Sequence, residues 1–236
     1  YPAFDVIVIH LTDENGGYLD FGIGSLYTAI KDTTDTRTYT MTVAENMPTD
    51  VGAMGGTSLT VEGDGNTVSG ADISAIPHTG AEIADGQTLT LNNILSWTGA
   101  DGAAIINAGE VNINATTYNS TFDNISNTGD LNLTAGADKK ISIGTISDDI
   151  TTPSGKTTID GLGEVEFTGT VTQNELEITS DGTLKTDADN LVISNAIDNS
   201  GNLYLNGAGN LESAISGVGT TYVEADVTTA KTIEIA

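Results

Sequence analysis

Gly109-Glu110-Val111-Asn112-Ile113 is answered twenty residues later by Gly129-Asp130-Leu131-Asn132-Leu133. A turn residue is followed by two aliphatic side chains with one polar side chain between them, the period of a half-buried strand. The same phrase opens at Gly86-Gln87-Thr88-Leu89-Thr90-Leu91 and returns at Asn174-Glu175-Leu176-Glu177-Ile178, Gly201-Asn202-Leu203-Tyr204-Leu205 and Thr232-Ile233-Glu234-Ile235. None of these units is long enough to bury its own apolar face, so stacking successive units is the economical way to build a core. The steps from Gly86 to Gly109, Gly109 to Gly129, Gly182 to Gly201 and Gly201 to Gly219 are 23, 20, 19 and 18 residues. Three short strands and three turns need roughly 20 residues. The pattern predicts a single-stranded right-handed parallel β-helix, all-β, of roughly nine coils about 4.8 Å apart. The competing arrangement is a sandwich of short antiparallel strands.

Composition agrees with a narrow solenoid. The 236 residues include 28 Gly but only 5% aromatics, so the core must be aliphatic. With 7 Lys plus Arg against 33 Asp plus Glu, the formal charge is −26, which repels phosphate backbones and anionic membranes. Nucleic-acid binding and direct membrane insertion are therefore not expected, and no run approaches the ~18 apolar residues of a spanning helix. The absence of Cys excludes disulfides and thiolate chemistry. Few lysines with abundant Thr, Asn and Gly suit a secreted surface protein, and Tyr1-Pro2-Ala3 reads as a mature start left by a removed signal peptide.

The chain reads as one domain over 1–236, with an N-terminal strand and cap helix in 1–38 and coils over 39–236. The run Phe4-Asp5-Val6-Ile7-Val8-Ile9-His10-Leu11 is predicted to be a strand buried on both faces, closed by Asp13-Glu14-Asn15-Gly16-Gly17. Ser25-Leu26-Tyr27-Thr28-Ala29-Ile30-Lys31 predicts the one helix, with Ser25 as its cap and Leu26, Ala29 and Ile30 on one face. Such a helix would cover the first coil.

These residues resemble a known group. Ser25–Val61 looks like the opening of right-handed β-helices of the autotransporter-passenger and adhesin kind, where a Leu-x-x-Ala-Ile helix leads to a first strand. Leu59-Thr60-Val61-Glu62-Gly63-Asp64-Gly65-Asn66-Thr67-Val68-Ser69-Gly70 is similar to their Leu-Thr-Ile-x-Gly-x-Gly-x-Thr-Ile-x-Gly phrase. Leu89-Thr90-Leu91-Asn92-Asn93-Ile94 and Gly102-Ala103-Ala104-Ile105-Ile106-Asn107-Ala108-Gly109 resemble coils of polymorphic outer-membrane proteins, while Phe122-Asp123-Asn124 only approximates their Phe-x-x-Asn element. The resemblance implies an extracellular, non-enzymatic protein acting in adhesion or in self-assembly into a filament or surface layer. Its partners would be further copies of itself, or a host or neighbouring cell surface. A passenger fragment of an autotransporter is the reading if membrane-barrel sequence follows Ala236 in the gene.

Parallel β-helices also carry glycan-degrading enzymes, so a tailspike-type hydrolase is the enzymatic alternative. It needs two carboxylates about 5 Å apart, or ~6.5–9.5 Å with inversion. Asp148-Asp149 and Asp187-Ala188-Asp189 are the densest acids, and ordinary turn chemistry explains both. A uronate lyase would need a strong base, and Arg37 and Lys139-Lys140 lie beside no evident acidic strand. His10 and His78 are not placed to assist acids. No cofactor is expected beyond structural Ca²⁺, for which Asp187, Asp189 and Asn190 are the candidate ligands. Trp97 and Tyr118 are candidate carbohydrate contacts, with local packing as the plainer role. Asn114, Asn119, Asn124 and Asn132 each begin an Asn-x-Ser/Thr sequon, although stacked amide ladders are the favoured use of such asparagines. Head-to-tail fibres are the expected assembly. Phe4, Val6, Ile7, Val8, Ile9 and Leu11 of one copy would cover Ile233 and Ile235 of the next by strand addition.

Overall fold

The computed structural model of the chain describes residues 8–13, 15, 18–22, 38–42, 47–48, 58–65, 67–69, 81–98, 102–231 and 233. It is 59% strand, a parallel β-solenoid of about seven turns of about 21 residues each. Nine parallel strands stack on a first face, beginning Thr38–Thr42, Ser58–Glu62, Thr88–Asn92 and Glu110–Ala115 and ending at Ile215–Ser216. The phrases beginning at Gly86, Gly109, Gly129 and Asn174 lie here, with Val111 opposite Leu131 and Ile113 opposite Leu133, whereas Gly201–Leu205 runs into a second-face strand, Asn202–Gly207. Neighbouring strands run parallel, so the antiparallel sandwich is not the fold.

Two further strands complete each turn. Ser120–Asn127 and Lys140–Ser147 each run across a corner, joining the second and third faces into one 13-stranded sheet. Inward positions form columns along the axis because β side chains alternate and the register holds from rung to rung. On the first face one column is Val61, Leu91, Ile113, Leu133, Ile159 and Ile178, all buried. On the second face Trp97 stacks with Phe122 at 6.5 Å, and Ile143 and Phe167 continue the column. Burying each such side chain contributes about 1.5–3 kcal/mol, the bulk of the favourable free energy.

The repeat length varies where loops leave the rungs. Leu131 to Thr157 is a 26-residue step against 20 for Val111 to Leu131, and the surplus forms the loop at 148–155. Polar groups line the inside of the adjacent corner. Asn107 donates to the Asn127 side-chain oxygen at 2.7 Å, and Asn127 donates to Gln173 Oε1 at 2.7 Å. Thr157 donates to the same oxygen at 2.9 Å, and all four residues are buried. The ladder expected of asparagines therefore exists, but its inward members are Asn107 and Asn127 rather than the sequon residues.

The N-terminal end departs from expectation. β1 (Val8–Asp13) turns back into β2 (Tyr18–Gly22), and β1 also pairs antiparallel with β3 (Thr38–Thr42). This hairpin continues the first-face sheet beyond the first parallel strand. Phe4, Val6 and Ile7 lie outside the described residues, as does the helix predicted at Ser25–Lys31.

Candidate functional site

Outward side chains on a solenoid repeat once per rung, so any preference at one position becomes a line along the axis. On the first face Asn132 donates to Asn112 Oδ1 at 2.9 Å, and Asn114 donates to Asn92 Oδ1 at 2.9 Å. Amides suit these positions because each carries a donor and an acceptor to pass along the row. Further along the same face Lys156 meets Glu177 at 2.6 Å. That carboxylate, accepting a hydrogen bond from the ammonium, raises the Lys156 pKa.

The second face carries the densest line of chemistry. Lys140 pairs with both Glu166 and Glu164, the latter at 3.6 Å, and Lys185 reaches Glu164 at 2.7 Å. The Lys185 ammonium lies 5.6 Å from the Tyr204 ring centre, and Tyr204 stacks on Tyr222 with centroids 4.3 Å apart and planes within 9°. Strand register dictates the stack, since Tyr204 pairs with Tyr222 and Lys185 with Tyr204. Hydrogen bonding to Glu166 raises the Lys140 pKa, and hydrogen bonding to Glu164 raises that of Lys185. Desolvation raises the Tyr204 phenol first, with Tyr222 and Glu224 adding to it. At neutral pH the strip therefore holds charged lysines and a neutral Tyr204 phenol. Exposed ion pairs of this kind are worth about 0–1 kcal/mol each, so they do little for stability.

The residues singled out from sequence fall elsewhere. Asp187 ends the strand Thr183–Asp187, and the 3₁₀ turn Ala188–Asn190 carries Asp189 and Asn190. Both aspartates are exposed, and their carboxyl ends lie against Gly207 and Gly209 of the next rung. Among the described residues no group of three or more His, Asp or Glu is placed to hold a metal ion. Val8, Ile9 and Leu11 lie on β1, where all three pair with β2 and Leu11 also pairs with β3. β2, rather than β1, is the outer strand of the N-terminal hairpin. Ile233 bridges to Ile215, and Ile235 lies outside the described residues.

Trp97 is 1% exposed, so it is a core residue and presents no face to a sugar. Tyr118 is exposed and rests against Gly65. Nothing in the sequence reading singled out the Lys185–Tyr204–Tyr222 line. The signal was present in the aligned phrases Leu203-Tyr204-Leu205 and Thr221-Tyr222-Val223, where one outward position is aromatic twice.

Asp148 and Asp149 act locally. Asp148 Oδ2 accepts from the Ser154 and Gly155 amides at 2.9 and 2.7 Å, closing the 148–155 loop. Asp149 Oδ1 accepts from the Thr151 hydroxyl at 2.6 Å and its amide at 2.8 Å. These bonds favour the ionised form, the hydroxyl bond most, and hold the Asp149 pKa at about 2. A depressed pKa makes its contribution complete above the ordinary carboxylate pKa and removes it as pH falls through about 2. The Thr151 and Thr152 amide resonances are therefore expected to hold at pH 4 and to titrate with a midpoint near 2. A midpoint near 4 would mean that the loop does not hold its carboxylate in this way.

Comparison with known protein families, with curated proteins and with solved structures finds no match.

Proposed function

We propose that this chain is a non-enzymatic extracellular surface solenoid acting by adhesion and self-association. The observation that carries the reading is the second-face line of Lys140, Glu164, Glu166, Lys185, Tyr204 and Tyr222. It joins hydrogen-bonding groups of both charges to a partly exposed aromatic stack on one sheet face. In-register faces meet a partner through many weak equivalent contacts, so affinity comes from their number. Lysine amines, carboxylates and phenol edges together suit the hydroxyl-rich surface of a cell-wall glycan or of another solenoid.

The test compares the wild-type chain with a K185A/Y204A/Y222A variant. Retention on immobilised cell-surface polysaccharide and assembly by electron microscopy are measured at equal concentration. Wild-type chain is expected to bind or to form rods, and the variant to lose at least about tenfold in apparent affinity, about 1.4 kcal/mol, while keeping its β-sheet circular dichroism. A wild-type chain that stays monomeric and is not retained would sink the proposal. Retention and assembly unchanged in the variant would also count against it.

A further inference from the structure

We propose that Asn119 and Asn124 are acceptor sites for N-linked glycan. The four Asn-x-Ser/Thr sequons are identical as motifs, and the fold divides them into two pairs. Asn114 and Asn132 lie within first-face strands and are half-buried. Their amide nitrogens are already committed, to Asn92 Oδ1 and Asn112 Oδ1 at 2.9 Å each. Thr116, the hydroxyl residue of the first of these sequons, is bonded to Asn93.

Asn119 and Asn124 have the opposite arrangement. Both are exposed, Asn119 immediately before the strand Ser120–Asn127 and Asn124 where that strand turns from the second face to the third. Asn119 Oδ1 accepts from the Lys140 main-chain amide at 3.0 Å, and Asn124 Oδ1 accepts from the Thr145 hydroxyl at 2.6 Å. In each case the oxygen is anchored to the following rung. Among the described residues neither amide nitrogen has a partner, nor do the Thr121 and Ser126 hydroxyls that complete the two sequons. A glycan on Asn119 or Asn124 therefore displaces no hydrogen bond, whereas one on Asn114 or Asn132 breaks a rung-to-rung amide row. Each such site would lose an amide bond as well as meeting the steric cost of a sugar on a packed sheet face.

The transfer needs only a lipid-linked oligosaccharide pyrophosphate and its transferase. The asparagine Nδ2 bonds to the anomeric carbon of the first sugar, and the bond from that carbon to the pyrophosphate oxygen breaks. The lipid pyrophosphate leaves with the electron pair, and one amide proton passes to the transferase's carboxylate. The assignment rests on the extracellular reading above, because the donor and the enzyme lie on the secretory route.

The full chain is expressed behind a secretory leader in N-glycosylating eukaryotic cells, and secreted folded protein is analysed by intact mass and glycopeptide mapping. Glycan is expected at Asn119 and Asn124 and absent from Asn114 and Asn132. N119Q and N124Q should each remove one glycan mass. T121V should remove the Asn119 glycan without touching its Oδ1 anchor. Secreted folded protein bare at either proposed site, or carrying glycan on Asn114 or Asn132, overturns the assignment. The chain isolated from its own source separates the two readings. If it is bare there while doubly modified in the secretory cells, the two asparagines are accessible but are not native acceptors and this proposal fails, while the surface reading is decided separately by the retention and assembly test.

Discussion

Replacing Gln173 with alanine is expected to cost about 3 kcal/mol, from two orphaned buried polar groups at about 1–3 kcal/mol each. At about 2–4 °C per kcal/mol for a chain of this size, the melting temperature should fall by roughly 6–12 °C. The reason lies in the rung that Gln173 bridges. Asn107 and Asn127 are one rung apart and bond directly. The equivalent position on the next rung is Asp148, one residue beyond Ser147, which pairs with Ser126. Asp148 instead turns to close the 148–155 loop, leaving a gap in the amide row.

Gln173 spans that gap. Its oxygen accepts from Asn127, 46 residues away in sequence, and its nitrogen donates to the Asn127 carbonyl at 3.0 Å. Alanine would leave that carbonyl and the Thr157 hydroxyl buried without partners. Asparagine, a methylene shorter, should do little better because it must reach across two rungs. Leucine fills the volume but satisfies neither group, so Q173L should also destabilise. Adding T157V to Q173L removes one orphan, and the double variant should be more stable than Q173L alone. A Q173A melting temperature within about 1 °C of wild type would mean that the row carries no stability.

The first-face strands from Thr38–Thr42 to Glu175–Ile178 are legible from sequence because they are four to six residues long and alternate cleanly, as Glu110–Ala115 and Asp130–Ala135 do. Third-face strands such as Ile105–Asn107 and Val171–Gln173 are three residues long, too short to display a period. Their inward polar residues also break the apolar rule: Asn107, Asn127 and Gln173 face the interior, held by one another across rungs and by main-chain carbonyls and Thr157. A pairing between residues 46 apart leaves no local signature. The β1–β2 hairpin was half legible. The Asp13–Gly17 stretch marks the end of the first strand, yet nothing in it announces a reversal, and Tyr18–Gly22 lacks the apolar run that would mark it as the returning strand. In the candidate site, single residues misled and columns did not. Trp97 stood out by type and is core, whereas Tyr204 and Tyr222 matter because register places one upon the other.

Close rung spacing gives the second large effect, expected in Gly129→Ala. The Gly129 backbone lies so near the preceding rung that an added methyl would overlap the Gly109 carbonyl oxygen and come 2.7 Å from the Ala108 carbonyl carbon. Both obstacles are main chain and cannot rotate away. The same Gly109 oxygen accepts the Asp130 amide at 2.8 Å, so opening the rungs also stretches a corner hydrogen bond. Overpacking at about 1–3 kcal/mol plus a weakened bond of about 0.5–1.5 kcal/mol gives an expected loss of about 3 kcal/mol. Gly86 is the control, because it has φ +78° but nothing within 4 Å of an added methyl. There alanine meets only left-handed backbone strain, about 1–2 kcal/mol. Sequence alone ranks these two glycines as equal turn residues, whereas the stacked structure makes Gly129→Ala the worse substitution. Hydrogen exchange should localise the damage to amides of the rungs on either side of Gly129, since each rung is stabilised mainly by its neighbours. Equal melting temperatures for the two variants, or an unprotected stretch far from Gly129, would show that rung contact does not set the stability of this solenoid.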